Sequence, residues 1–346
     1  MRKLTRLILT SAALTALCLE MVSPAALAAA PAAKQPVSTP NNTGQALEIA
    51  PPLLYLTVNP GQTVNTQIYI RDISSGDLIV TGQVNDFVAD GETGAPKVLL
   101  NNDTNNPYSL KGWVTTLPTL QLIPKQIKTL PVTLHIPANA SPGGHYGVIR
   151  FTATAPSLQS SGVALSASLG ALVLLTVSGK ITENLSVQEF SVNHAGQTGT
   201  FFGAGPVSFV ERLKNTGNVH VQPTGQVTVT DMFGKKLGAV NVNQPPGNIL
   251  PQSIRKFSQA LDSSVIGNKK LFGRYTAKLN LTYGTSKKVL TASLVFWVIP
   301  YRTIGIIIVL LIAAFFILRY ALRRYNRRIL EQAQKRQPPP RDPNAQ

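Results

Sequence analysis

An all-β fold of two immunoglobulin-like β-sandwich domains plus one C-terminal transmembrane helix is predicted, and three observations predict it. Short runs of alternating apolar and β-branched residues recur between Pro, Gly and Asn turn signals. No helical period of ten or more residues interrupts them. Near the C-terminus an uncharged apolar run, residues 303–318, stops against Arg319, Arg323, Arg324, Arg327 and Arg328, the pattern of a membrane anchor with its retained basic flank.

Taken in order, Arg2, Lys3 and Arg6 precede an apolar stretch over residues 7–19 and the small-residue site Ala26-Leu27-Ala28. That is a secretory signal peptide over residues 1–28. Cys18 lies inside it; the lipid-modified cysteine of a bacterial lipoprotein wants a small residue before it, and Leu17 stands there. With the leader removed the chain has no cysteine, so neither a disulfide framework nor a thiolate site is available and stability must come from burial. Residues 29–46, rich in Ala, Pro, Thr and Asn, are a flexible lead-in.

The first sandwich is expected over residues 47–180. Its strand runs are residues 53–58, 63–70, 78–87, 98–100, 119–123, 128–136 and 146–153. A β-barrel is the alternative, but closed barrels show longer and more even hairpins. Residues 163–177, VALSASLGALVLLTV, are the most apolar part of the outer region. They are too short to span a bilayer, so residues 171–177 read as a buried strand behind the Ser/Gly-rich loop of residues 157–162. The second sandwich is expected over residues 181–298, with strands at 185–190, 207–214, 226–232, 237–242, 254–260, 274–283 and 288–297. Asn215-Thr216-Gly217-Asn218 and Met232-Phe233-Gly234-Lys235 supply turns. Both halves carry Gly-x-Tyr before a late strand, Gly144-His145-Tyr146 and Gly273-Arg274-Tyr275, as a tyrosine packed at a sandwich corner would require.

The transmembrane helix is placed at residues 299–318. The uncharged part covers about 24 Å at 1.5 Å per residue; Val298, Ile299 and Tyr301 extend it while Arg302 snorkels to the interface. Trp297 and Tyr301 suit the aromatic belt, and Arg319, Arg323 and Arg324 set the topology. Residues 319–346 become a basic cytoplasmic tail ending in the Pro-rich, disorder-prone Pro338-Pro339-Pro340. The expected location is the plasma membrane, single-pass, with the sandwiches extracytoplasmic and the lipid bilayer as one partner.

About half of the formal charge of +17 lies at the two ends of the chain. Residues 29–301 hold 20 Lys/Arg against 12 Asp/Glu and form no dense basic stripe with interleaved aromatics, so no nucleic acid is expected as a partner. An anionic polymer such as a cell wall remains compatible with the excess. His135, His145, His194 and His220 are dispersed, with no H-E-x-x-H spacing, and there is no G-x-S-x-G elbow. Asp86, Asp90 and Glu92 form the one acidic cluster, yet DFVADGETG does not keep a calcium-loop rhythm and reads as a solvated hairpin loop. Catalytic, cofactor-binding and metal residues are therefore predicted as none, and the chain as a non-enzyme. Trp113, with Lys111 beside it, is either an inter-sheet plug or an aromatic platform for sugar stacking; these two are the candidate glycan contacts.

Val58-Asn59-Pro60-Gly61-Gln62, Trp113, and the stretch Pro137-Ala138-Asn139-Ala140-Ser141-Pro142-Gly143-Gly144-His145-Tyr146-Gly147 resemble the peptidoglycan-binding domain of WxL-interacting surface proteins. The order of signal peptide, β-domain, second β-domain, span and basic tail is similar too. The resemblance implies peptidoglycan binding by the first domain and a partner protein for the second. The second half, with Lys214-Asn215-Thr216-Gly217-Asn218-Val219-His220, departs from that family and is similar only to generic bacterial surface sandwiches. The expectation is a membrane-anchored bacterial surface protein that binds peptidoglycan or another surface protein. Its alternatives are a structural spacer or chaperone-like assembly factor offering a sheet edge to a secreted partner, and an enzyme with an unrecognised site.

Overall fold

The computed structural model describes residues 46–100, 106–155, 167–267 and 269–335. The signal peptide, nearly all of the lead-in, the Ser/Gly-rich loop and the Pro-rich end lie outside the described residues.

Nine strands build the first sandwich: β1 (Leu47–Ala50), β2 (Leu53–Val58), β3 (Thr63–Asp72), β4 (Leu78–Ala89), β5 (Pro96–Leu99), β6 (Leu120–Leu122), β7 (Ile127–His135), β8 (Gly143–Thr154) and β9 (Ala167–Val177). One sheet has the order β1-β3-β7; the other runs β2-β9-β8-β4, with β5 and β6 both on the far side of β4. Alternation drives the packing, since successive side chains of a strand point to opposite faces. Ile68, Ile70, Leu130, Val132 and Leu134 of the first sheet meet Val80, Ile149, Phe151, Val173 and Leu175 of the second in one core. The chain changes sheets at Pro51-Pro52, where two missing N–H groups end pairing with β3. There β1, antiparallel to β3, gives way to β2, parallel to β9.

The second sandwich contains β10 (Leu185–His194), β11 (Gln197–Gly199), β12 (Phe201–Phe202), β13 (Val207–Asn215), β14 (Thr224–Asp231), β15 (Lys236–Val242), β16 (Ile254–Leu261), a short α1 (Ser263–Ile266), β17 (Gly273–Tyr283) and β18 (Lys288–Val298). Its sheets are β11-β10-β13-β16 and β12-β18-β17-β14-β15. In β17 every second residue from Gly273 to Tyr283 is buried. Phe209, Leu213, Val227, Val229, Leu279 and Phe296 lie in its core.

The helix α2 (Tyr301–Lys335) differs from the expected 299–318 segment at both ends. Val298 closes β18, and the Ile299 N–H donates to the Phe202 carbonyl at 2.8 Å, so sheet pairing holds both residues out of the helix. At the other end α2 continues through the arginines, because no Gly or Pro interrupts residues 319–335 and Arg, Leu, Ala, Glu and Gln favour helix. Tyr301–Ile329 is long and apolar enough to cross a membrane, and the apolar side chains between Ile306 and Leu318 are exposed.

Candidate functional site

Strand β8 locates the first part of the site. It is buried on both faces from Gly143 to Ile149 and alternates only beyond Ile149. On the face turned away from the first core, Tyr146 and Val148 join Phe87 and Leu174 in a separate cluster, with Leu250 of the second sandwich packed on it. The doubly buried half of β8 is thus the floor of a joint between the two sandwiches.

Polar contacts close this joint. The Gly144 N–H donates to the Asn218 carbonyl at 2.7 Å, and the Asn218 amide donates to the Pro142 and Lys180 carbonyls. Asn248 Nδ2 donates to the Tyr55 hydroxyl at 2.7 Å, and the Lys256 N–H to the Glu92 carbonyl at 2.8 Å. The Arg212 guanidinium pairs with both Glu92 oxygens, and Glu189 takes its third contact. This side-chain bond from Arg212 holds the Glu92 carboxyl below its usual range. Tyr146 Oη lies 3.3 Å from His220 Nδ1. Burial pushes the His220 imidazole down to about 4, against a smaller opposing pull from Glu183, and pushes the Tyr146 phenol up.

The acidic cluster read as a solvated loop is therefore divided. Asp86 is buried and accepts from Ser109 Oγ at 2.7 Å, while Glu92 reaches across to the second sandwich. The matching Gly-x-Tyr sequences also part company. Tyr146 faces the joint, whereas Tyr275 sits in the second core with its hydroxyl on the Phe272 backbone.

The second part of the site is an open edge. Strand β9 pairs with β8 from Ala167 to Val177, but with β2 only from Leu172 onward. The Leu172 N–H donates to the Pro52 carbonyl at 2.9 Å, so by the two-residue period Gly170 and Ser168 aim their backbone groups to the same side. Among the described residues no strand pairs with them there. Exposed edges are ordinarily guarded by charge, Pro or a bulge; residues 167–171 contain neither charge nor Pro, and their register with β8 is unbroken. Leu169 is 44% exposed. Where the edge ends, Leu53, Tyr55, Leu172 and Leu174 line a cavity of about 250 Å³ with Arg255 of the second sandwich.

Lys111 and Trp113 lie on a short 3-10 turn. Trp113 is half-buried, packs on the first core and has the His145 ring 4.4 Å from its own. The Lys111 N–H donates to Ser109 Oγ. Neither residue lines the cavity beside Leu172. Trp297 belongs to β18 rather than to a helix, and its ring stacks on Phe201 at 5.8 Å. Tyr301 and Arg302 begin α2, with the guanidinium 6.0 Å from the Tyr301 ring centre; Arg319, Arg323 and Arg324 are exposed further along it. Among the described residues no three His, Cys, Asp or Glu side chains gather where a metal could sit.

No family model and no curated protein matches the chain. Solved structures match in fold. The class 5 fimbriae chaperone CfaA is 15% identical over 72% of this chain and 99% of its own, with a TM-score of 0.37. The YadV chaperone is 12% identical over 72% and 99%, TM-score 0.35, and the E. coli chaperone DraB 14% identical over 72% and 96%, TM-score 0.35. So remote a likeness carries no function, and it lends peptidoglycan binding no support.

Proposed function

We propose that this chain is a single-pass membrane-anchored surface protein that performs no chemistry. Its sandwiches face outward, its basic tail faces the cytoplasm, and it takes a β-strand of a secreted or surface protein along β9. The observation that carries this reading is the edge at residues 167–171, uncharged, already in register with β8 and without a ladder partner on its other side among the described residues. Strand addition draws affinity from main-chain hydrogen bonds, each worth about 1 kcal/mol net, and specificity from alternate side chains. Leu169 and the cavity beside Leu172 would receive those side chains. The basic flank after Leu318 supports the orientation, because Lys/Arg-rich short segments are retained on the cytoplasmic side.

The test is a photo-crosslinking amino acid at Leu169 in the full chain on intact cells, with and without Ser168→Pro. Proline at 168 removes one outward N–H and leaves the β8 ladder intact. Adducts to one secreted or surface protein that disappear with S168P would support the reading. Equal adduct yield in both chains would exclude it, and retention of both on purified peptidoglycan at low salt would favour the glycan reading instead.

A further inference from the structure

We propose that the end of the second sandwich opposite the joint is a lipid-docking surface for anionic headgroups, holding the domain against the bilayer that α2 enters. The proposal rests on reading residues 301–318 as a membrane span.

Sheet register fixes which loops share that end. Val298, the last residue of β18, pairs with Gly273, the first of β17, and Asp231, the last of β14, pairs with Tyr275. The β14–β15 turn and the loop from α1 to β17 therefore emerge beside the point where the chain leaves for α2. Only Ile299 and Pro300 separate β18 from α2. Neighbouring strands lie about 4.8 Å apart, which places the β14–β15 turn about 10 Å to the side of β18.

These loops carry what an interfacial surface needs. Phe233 is 87% exposed, Phe272 63% and Met232 49%. Well-anchored backbone holds them outward: the Phe233 and Lys235 N–H groups both donate to Asp231 Oδ1 at 2.9 Å, and the Phe272 N–H donates to the Tyr275 hydroxyl at 3.0 Å. Around them stand Lys235, Lys236, Lys269, Lys270 and Arg274, all exposed. The acidic neighbours Asp231 and Asp262 are engaged in capping their own turns. Lys269 and Lys270 also edge an apolar cavity of about 520 Å³ walled by Leu261, Ile266, Leu271 and Pro300. Exposed aromatic tips set among lysines match the boundary between acyl chains and anionic headgroups. The stacked Phe201–Trp297 pair beside Arg274 continues the same belt.

Three single-tryptophan full-length chains test this in vesicles of phosphatidylcholine with 30% phosphatidylglycerol, using brominated lipid as quencher. One carries F233W with W113F and W297F, one F315W in the same background, and one keeps Trp113 with W297F. Quenching at 233 and 315 but not at 113 is expected. In the first chain, K235E/K236E/K269E/K270E should lower the docked-to-free ratio about fivefold per lysine. Quenching at 315 with position 233 as unquenched as 113 would overturn the docking surface while leaving the span intact. No quenching at 315 would overturn the span and the docking surface together. Unchanged quenching at 233 after the four charge reversals would overturn the anionic-headgroup assignment.

Discussion

Glu211 lies on the inward face of β13, in register with Phe209 and Leu213, and is fully buried. Burial pushes its carboxyl from 4.5 up to about 8, so it is neutral at physiological pH. The Gln259 side-chain amide lies within hydrogen-bond reach of its two oxygens. The folded state binds this proton more tightly than the unfolded chain. Stability from it is complete below pH 4.5, falls as pH rises from 4.5 to about 8, and then levels off once the folded carboxyl ionises. At 1.36 kcal/mol per unit, three units amount to about 4 kcal/mol lost by pH 7.5. Glu211→Gln keeps the shape and an amide partner but has no proton to lose, so the variant should gain roughly that amount at pH 7.5 and only about 0.7 kcal/mol at pH 5. Urea unfolding of W113F chains, in which Trp297 reports the second sandwich, would register a midpoint difference on the order of 2 M at pH 7.5. A difference that stays constant from pH 5 to 8.5 would show that Glu211 does not carry a strongly raised pKa.

Two further predictions concern the joint. His220 titrates in the opposite sense: its folded value lies near 4, so its contribution is intact above pH 6.5 and is lost as pH falls towards 4. The loss reaches at most about 3 kcal/mol. Hydrogen exchange around Tyr146 should rise between pH 6.5 and 4.5, and His220→Gln should flatten the rise; an unchanged profile in H220Q would assign the opening to other groups. Gly143 has φ +126°, and a Cβ there would sit 2.5 Å from the Asn218 carbonyl, the acceptor of the Gly144 N–H. Gly143→Ala should cost about 1–3 kcal/mol in backbone strain, and its protease sensitivity should rise at residues 178–184; an unaltered cleavage pattern would show that the joint tolerates the shift.

The strands were largely legible because period-2 burial writes itself into composition. β17 keeps strict alternation, and residues 274–283 were recognisable from it. β1 was not, since its four residues stop at Pro51-Pro52 and make sense only as a strand that changes sheets. β11 and β12 have three and two residues, too few for any period. The site was less legible. Asn218 and His220 sit in a segment that reads as an ordinary turn, and Glu92 in one that reads as a solvated hairpin loop; their partners lie across the joint, far away in sequence. The open edge did leave a trace in the uncharged run ending at Val177. Among the described residues, pairing on one side only is a property of where β2 begins, and no local pattern encodes that.

The edge and the joint are parts of one construction. β9 lends its inward residues Val173 and Leu175 to the first core and its outward residues Leu172 and Leu174 to the joint and its cavity. β2 runs beside it, with Tyr55 holding Asn248 of the second sandwich. A strand laid along residues 167–171 would continue the line of β2 and end against Leu53 and the cavity wall. The second sandwich therefore helps to shape the place where such a strand must stop, although every ladder hydrogen bond would come from the first. Small cysteine-free sandwiches depend on burial for stability, and here the burial that joins them also braces β9. A rigid neighbour would lower the ordering cost of an added strand at that edge.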